Sequence, residues 1–302
     1  WRKKLKAEYL ANAGIELARM TILETTDPTI NNEDSTEYLS KGSDKVLRSA
    51  ALAIADGSSA QLSRKLGAGT LSVTICPENS SMNINSMIYP DNRELTYQAW
   101  DPLFKSVGVP REDRDVLVDC LIDWVDKNEL AHLNGVESEY YESLTPPYQA
   151  KNGALDTLEE LILVKGFNEL IPDTEKTVYE VVAPFLTTYS ANGKININSV
   201  SAEILVAFFD MDSIIAEAIV DERIGADGEE GTDDDEPYKD LDDLLLRVPV
   251  VDQSVADFIT FGPLGRFGLI AKGKVDDIER TVSCVISLAS GKLTTLKWHE
   301  GN

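Results

Sequence analysis

Histidine and cysteine are both scarce in this sequence: two histidines, His132 and His299, and three cysteines, Cys76, Cys120 and Cys284. No two cysteines form a C-x-x-C pair, which excludes a thiolate zinc site and a disulfide-dense scaffold. Cys76 and Cys284 fall in strand-like runs, where they either pair or serve as small buried apolar side chains. Basic charge is also in short supply. Lys and Arg number 28 against 52 Asp and Glu, a formal net charge of -24. Such a chain repels phosphate backbones, which argues against nucleic acid as a partner. No apolar run approaches the ~20 residues that a membrane helix needs. There is no GxSxG, P-loop or HExxH, and neither histidine neighbours a nucleophile motif, so the chain reads as a non-enzyme.

What is present is 43% hydrophobic residues, enough for a sizeable core. Residues 1–24, WRKKLKAEYLANAGIELARMTILE, predict a helix, because Leu10, Ala13, Leu17 and Met20 recur at helical spacing and Pro28 follows its end. Residues 25–45 are polar and read as a loop, and 44–69 as a short helical stretch mixed with turns. GTLSVTIC (69–76) alternates like a strand. Near the end, FGLIAKGKVDD, ERTVSCVISLAS and KLTTLKWHE form three alternating runs separated by turns, which predict an antiparallel meander. The fold expected is α+β: a long N-terminal helix, a small antiparallel sheet, and a large, mostly helical insertion between sheet strands. The division expected is 1–80 for helix, loop and first strand, 81–260 for the insertion, and 261–302 for the closing strands.

Within the insertion the tetrapeptide Asn-Ile-Asn-Ser occurs twice, at 83–86 and 196–199. Each copy is followed by an amphipathic helix, VLVDCLIDWVD (116–126) or IIAEAIVDERI (214–224). After a loop comes a second helical stretch, LDTLEELILV (155–164) or YKDLDDLLLRV (238–248). Thr157-x-x-Glu160 and Asp240-x-x-Asp243 suit capping of those second helices. The order predicts an internal duplication over 83–166 and 196–250. The second copy resembles a helix-hairpin-helix module. Its hairpin FFDMDS (208–213) places Asp210 and Asp212 where glycine is expected, and two carboxylates there oppose phosphate.

Acidic side chains carry the best candidate site. Asp119, Asp123 and Asp126 share one helix face, and Asn128, Glu137 and Glu139 follow in a loop that is long for an unsupported one. A Ca²⁺ ion accepts six to eight oxygens in tolerant geometry and would tie this loop to the helix end. A second cluster, Asp227, Asp233, Asp234, Asp235 and Glu236, crowds a glycine-bearing loop at 225–240, without the spacing of an EF-hand. Crowded carboxylates destabilise each other unless neutralised. One or two bound Ca²⁺ ions are therefore expected, the alternatives being a solvated acidic face for the first cluster and a disordered acidic loop for the second.

Several segments in order resemble minor pseudopilin K of the type II secretion system. AEYLANAGIELARMTIL (7–23) is similar to the lower part of a pilin helix. LVDCLIDWVDKNE through LEELILVKGF (117–167) is similar to the family's first helical half, with its Asp-Trp-x-Asp, Pro-Pro-Tyr and Leu-Glu-Glu-Leu elements. LTTYSANGKININSVSAEIL (186–205) resembles the lead into the second half, and ERTVSCVISL with GKLTTLKW (279–298) the closing strands. The resemblance implies a pilin-like fold and calcium in the helical insertion. It implies a structural role at the tip of a pseudopilus, in company with I-type and J-type minor pseudopilins, in support of export of folded proteins across the outer membrane. Partners would meet the chain along its first helix, at Tyr9, Leu10, Ala13, Leu17 and Met20. It also implies a prepilin leader and an apolar N-terminal segment, which this sequence does not include, and a globular part on the periplasmic side of a Gram-negative inner membrane. The competing reading is a periplasmic or secreted binding module that holds a protein or nucleic acid through its tandem hairpins. A prepilin leader ahead of Trp1 would favour the first, a cleaved signal peptide the second.

Overall fold

A computed structural model describes residues 1–25, 45–228, 230 and 234–301. The first helix, α1, spans Arg2–Glu24. A second, α2, spans Lys45–Ala55. Strands β1 (Ala60–Leu66) and β2 (Gly69–Pro77) follow. Three long strands close the chain: β7 (Arg266–Val275), β8 (Ile278–Ala289) and β9 (Lys292–Gly301). Together they form one antiparallel sheet in the order β1-β2-β7-β8-β9. The meander expected at the C-terminal end is therefore present, and β2 pairs with β7, so the intervening chain is spliced between neighbouring strands.

Alternation explains the sheet. In β2 the side chains of Leu71, Val73 and Ile75 are buried while Thr70, Ser72 and Thr74 point the other way. The buried face meets α1 through small residues: Ala7, Ala11, Gly14 and Ala18 recur along the helix with Ile15 and Ile22. Small side chains let backbones approach closely. A Cβ on Gly273 would overlap the Ala7 carbonyl, and a Cβ on Gly14 would lie 3.0 Å from the Ala271 methyl. β1 was not legible as a strand, because only Ala60 and Leu62 are buried in its seven residues.

The register also settles the cysteines. Cys76 pairs with Gly268 and Cys284 with the adjacent Leu269. Successive strand residues face opposite sides, so the two cysteines lie on opposite faces of the sheet. All three cysteines are free thiols, and burial pushes the Cys284 thiol up to about 11.

The chain divides into two compact units, 1–80 with 195–200 and 218–302, and 81–194 with 201–217. The second unit holds α3 (Arg93–Ser106), α4 (Arg111–Val125), the short α5 (Ser138–Glu142), a 3₁₀ turn at Leu158–Leu163, α6 (Val178–Val182) and α7 (Ala202–Phe209). Its core is aromatic: Trp100, Phe104 and Phe167 pack with ring centroids 5.2–6.3 Å apart. Two further helices among the described residues are α8 (Ser213–Ile224) and α9 (Leu241–Arg247). The segment 158–163 is thus 3₁₀ where an α-helix was expected, although its Thr157–Glu160 capping box forms.

Both Asn-Ile-Asn-Ser copies make the same bonds. Each opens beside a two-residue parallel bridge, β3 (Met82–Asn83) with β4 (Leu186–Thr187), and β5 (Ile195–Asn196) with β6 (Ile259–Thr260). The first Asn of each copy accepts from the backbone N–H two residues on, at 2.9 Å for Asn83 and 3.1 Å for Asn196. Its amide donates at 2.6 Å to a distant carbonyl, Ser190 or Gly57. The second Asn exchanges two bonds with a distant backbone: Asn85 with Leu155 at 2.9 Å each way, Asn198 with Tyr238 at 2.8 Å each way. In both cases the residue reached lies two positions before a helix cap, Thr157 or Asp240.

Candidate functional site

The acidic site is built from the end of α4. Trp124 is buried against Tyr141 at 5.1 Å and Tyr148 at 6.3 Å, which fixes the turn of helix that carries its neighbours. Asp119, Asp123 and Asp126 are all buried. Their fates differ. Asp119 is fully engaged: Arg93 pairs with one oxygen, and the Asn134 N–H and side-chain amide donate to the other at 3.1 and 2.9 Å. It is a structural anchor for the loop, with both oxygens already engaged by protein groups.

Asp123 accepts from the His132 backbone N–H, with both oxygens at 3.2 Å, and lies 2.5 Å from His132 Nδ1. Burial pushes the Asp123 carboxyl up, and His132 opposes that shift. Gly135 makes the arrangement possible, since any Cβ there would overlap the Asp123 carboxylate. Asp126 takes one bond, from the Asn128 N–H at 2.9 Å, and its other oxygen has no partner. Asn128 itself is exposed and turns its side-chain oxygen to the Leu130 N–H at 2.8 Å. Glu139 is exposed on α5.

Glu137 is the anomaly. It is only 7% exposed, and neither carboxylate oxygen has a hydrogen-bond partner. Burial, followed by the charges of Asp123, Asp126 and Glu129, pushes it up to about 7. A fourth orphan comes from Asn152, whose N–H donates to the Trp124 carbonyl at 2.9 Å and whose side-chain oxygen is buried without a partner. Its amide holds Glu129 at 2.8 Å. Unpaired buried acceptors each cost about 1–3 kcal/mol, more when charged. Four of them from Asp126, Glu137 and Asn152 form a donor set of oxygens alone, which fits a hard cation. Among the described residues, Asp123, Asp126 and His132 are the group whose ligand atoms all lie within 4.8 Å of one another. His132 and Asn152 escaped the sequence reading. His132 read as a polar loop residue, and Asn152 was not singled out.

The second acidic loop is organised differently. Asp234 accepts from the Ala226 and Asp227 N–H groups at 2.8 and 3.1 Å. Glu230 pairs with the buried Arg223 at 2.6 Å. Glu236 contributes backbone only, its N–H to the Arg223 carbonyl and its carbonyl to Arg247. Asp235 is half-buried and Asp227 exposed, and Asp233 lies outside the described residues. Arginines and backbone amides thus meet much of this charge.

At the hairpin 208–213, Asp210 caps α7 in the left-handed conformation, φ 46°. Asp is one of few non-glycine residues that tolerate it. Lys105 pairs with it at 2.9 Å.

The other candidate surface is α1. Tyr9, Ala13, Glu16, Met20 and Leu23 recur on the face away from the sheet; Tyr9 is 66% and Met20 58% exposed. Leu10, by contrast, is 8% exposed and packs with Leu71 and Val275. Leu17 is half-buried against the sheet core and Ala13 lies at its margin. The surface open to a partner is therefore Tyr9 and Met20, and Leu10 belongs to the fold.

Among the described residues no helix is long and apolar enough to cross a membrane. Residues 80–191 match the family described as type II secretion system (T2SS), protein K. The chain is 28% identical over 168 residues to a type II secretion system protein K of Pseudomonas aeruginosa, a match that covers 55% of this chain and 48% of the relative. A protein of the same description from Aeromonas hydrophila is 28% identical over 156 residues, covering 47% and 45%. The chain thus spans about half the length of the curated relatives it matches. In fold it is similar to a chain of the GspK-GspI-GspJ complex from enterotoxigenic Escherichia coli, with a TM-score of 0.62 and 18% identity over 89% of this chain and 96% of that one.

Proposed function

From the match of residues 80–191 to the protein K family of type II secretion systems, we propose that the chain is a member of that family and works as a non-catalytic tip subunit. It joins I-type and J-type minor pseudopilins through α1, caps the pseudopilus and supports export of folded proteins across the outer membrane. Its globular part would work on the periplasmic side of the inner membrane. The observation that carries this reading is the apolar stripe of Tyr9, Ala13 and Met20 on a helix whose opposite face is buried in its own sheet. Two or more such helices bury stripes of this spacing against each other. The similar fold occurs in a K-I-J complex, and this chain's stripe suits the same kind of assembly. Binding of purified I-type and J-type partners, measured by calorimetry before and after Met20→Asp, tests it. Undiminished affinity would count against α1 as the interface.

A structural Ca²⁺ at the end of α4 belongs to the same reading. Asp126, Glu137 and Asn152 would hold it, with Asp123 alongside; the four unpartnered oxygens support it. Bound there, the ion supplies positive charge that links the helix end to the 127–153 loop. Support for a second ion near Asp227 and Asp234–Glu236 is weaker, since arginines and amides already answer that charge. We also read 83–166 and 196–250 as two helix-hairpin-helix-like copies, on the strength of the matched asparagine bonds.

A further inference from the structure

Beyond that reading, the helical unit carries a groove that shares no residue with α1 or with the acidic site at the end of α4. One wall is the start of α4, with Pro110, Val116 and Leu117; the other is the hairpin 169–178, with Leu170, Ile171 and Val178. The cavity between them is about 330 Å³, at the small end of ligand pockets. Both walls are fixed by the backbone. In the hairpin the Ile171 and Val178 N–H groups donate to the Lys176 and Glu169 carbonyls at 3.0 Å each, and Leu170 bridges to Thr177. Gly166 leads into the hairpin with φ 90°, and a Cβ there would lie 2.7 Å from the Leu117 side chain. Only glycine brings this turn so close to α4. The groove therefore exists before any ligand arrives.

Its chemistry is divided between floor and rim. Leu117, Ile171 and Val178 are buried and apolar, while Leu170 stands 64% exposed at the edge. Asp113 and Glu169 line the same groove and are exposed. Among the described residues neither carboxylate has a hydrogen-bond or ion-pair partner. The nearby bases do not answer them. Lys165 also lines the groove, but its Nζ lies over the Tyr140 ring, 5.1 Å from the centroid. Arg114 pairs with Asp101 at 2.9 Å. Arg111 and Lys176 are exposed and outside the lining. A wholly apolar ligand would desolvate both carboxylates without compensation, and a wholly cationic one would leave the floor wet. A ligand with an apolar side chain beside positive charge satisfies both. A second copy of this chain brings a net charge of -24, which opposes close approach to an acidic rim.

We propose that this groove docks a short extended segment of a partner protein, in which an apolar residue is flanked by Lys or Arg. The apolar side chain fills the floor against Leu117, Ile171 and Val178, and the cations reach Asp113 and Glu169. Leu170 covers the inserted side chain from the rim. Fixed walls spare the ordering cost of forming the site, and the unanswered carboxylates select the sign of the partner's charge.

The test is titration of the full chain with three end-blocked peptides, Gly-Lys-Leu-Leu-Lys-Gly, Gly-Glu-Leu-Leu-Glu-Gly and Gly-Lys-Ser-Ser-Lys-Gly, followed by calorimetry. Binding of the first alone is expected, and it should weaken as ionic strength rises. Asp113→Asn and Glu169→Gln should each weaken it about three- to fivefold. Leu170→Ala should weaken it by about as much through lost apolar contact, while Glu203→Gln, an exposed acid outside the groove, leaves it unchanged. Thermal melts of the variants separate lost binding from lost folding. No binding of the first peptide at low salt, or equal binding of the glutamate peptide, would overturn the proposal. Equal binding of the serine peptide, or an equal effect of Glu203→Gln, would also overturn it, since either would reduce the contact to general attraction by an acidic chain. So would self-association of the chain in sedimentation that Leu170→Ala abolishes, because the groove would then belong to a second copy.

Discussion

Asn198 and Tyr238 hold each other by two bonds of 2.8 Å, the Tyr238 N–H to Asn198 Oδ1 and the Asn198 amide to the Tyr238 carbonyl. The same amide also reaches the carbonyls of Asp56 and Phe261 at 3.0 Å. One side chain therefore ties together three backbone segments. Asn198→Ala orphans a buried N–H and several carbonyls, each worth about 1–3 kcal/mol. Asn85→Ala breaks only the exchange with Leu155. Chemical denaturation should show the larger loss for Asn198→Ala.

Substitutions along α1 should separate folding from assembly. Leu10→Ala removes a buried side chain and should cost about 2–5 kcal/mol of stability. Met20→Asp should leave the melting temperature nearly unchanged and weaken binding to partner pseudopilins. Equal losses of stability in both variants would mean that α1 has no free face.

Close approach of helix and sheet gives a steric prediction. At Gly273 any side chain meets the Ala7 carbonyl. Gly273→Val should destabilise by about 3 kcal/mol or more through overpacking, and should expose α1 to protease.

For the cation, chelation should lower the melting temperature and open residues 127–153 to proteolysis. At free Ca²⁺ a hundredfold above the dissociation constant the stabilisation is about 2.7 kcal/mol. Mg²⁺ should substitute poorly, because it demands a smaller and stricter octahedron. Glu137→Gln supplies the decisive sign. It removes a buried, repelled charge, so it should raise the melting temperature in chelator while abolishing most of the gain from Ca²⁺. A variant that is merely destabilised under both conditions would argue for a structural role without metal.

Long periodic segments were legible in the sequence, and so were repeated motifs. The helix over 1–24 and the three closing strands follow from spacing alone, and the duplicated Asn-Ile-Asn-Ser marks two positions that turn out to make the same bonds. Side-chain partners were not legible. Asp119 and Asp126 carry the same functional group on the same helix face, but Arg93 and Asn134 saturate one and leave the other half free. Nothing in the local sequence reveals that Arg93, in another helix, chooses Asp119. Asn152 was missed for the same reason, since its role depends on a contact with Trp124 that lies far away along the chain. Leu10 and Tyr9 differ in exposure because the sheet selects one face of α1, and that sheet is assembled from both ends of the chain.

The pairing of β2 with β7 has a consequence for how the molecule is made. Thr70 is bonded opposite Lys274, so the central register of the sheet joins segments separated by roughly 200 residues. Closing so long a loop costs little more than closing one half its length, about 0.6 kcal/mol per doubling. The penalty falls on time: contacts of such sequence separation form late and slowly. Until they do, α1 has no complete surface on which to lie, and its apolar residues stay open to water. During synthesis α1 emerges long before the strands β7–β9 that complete its surface. The Asn79 amide bonded to the Gly262 carbonyl at 3.1 Å closes the base of that loop and marks where the two ends of the sheet are brought together.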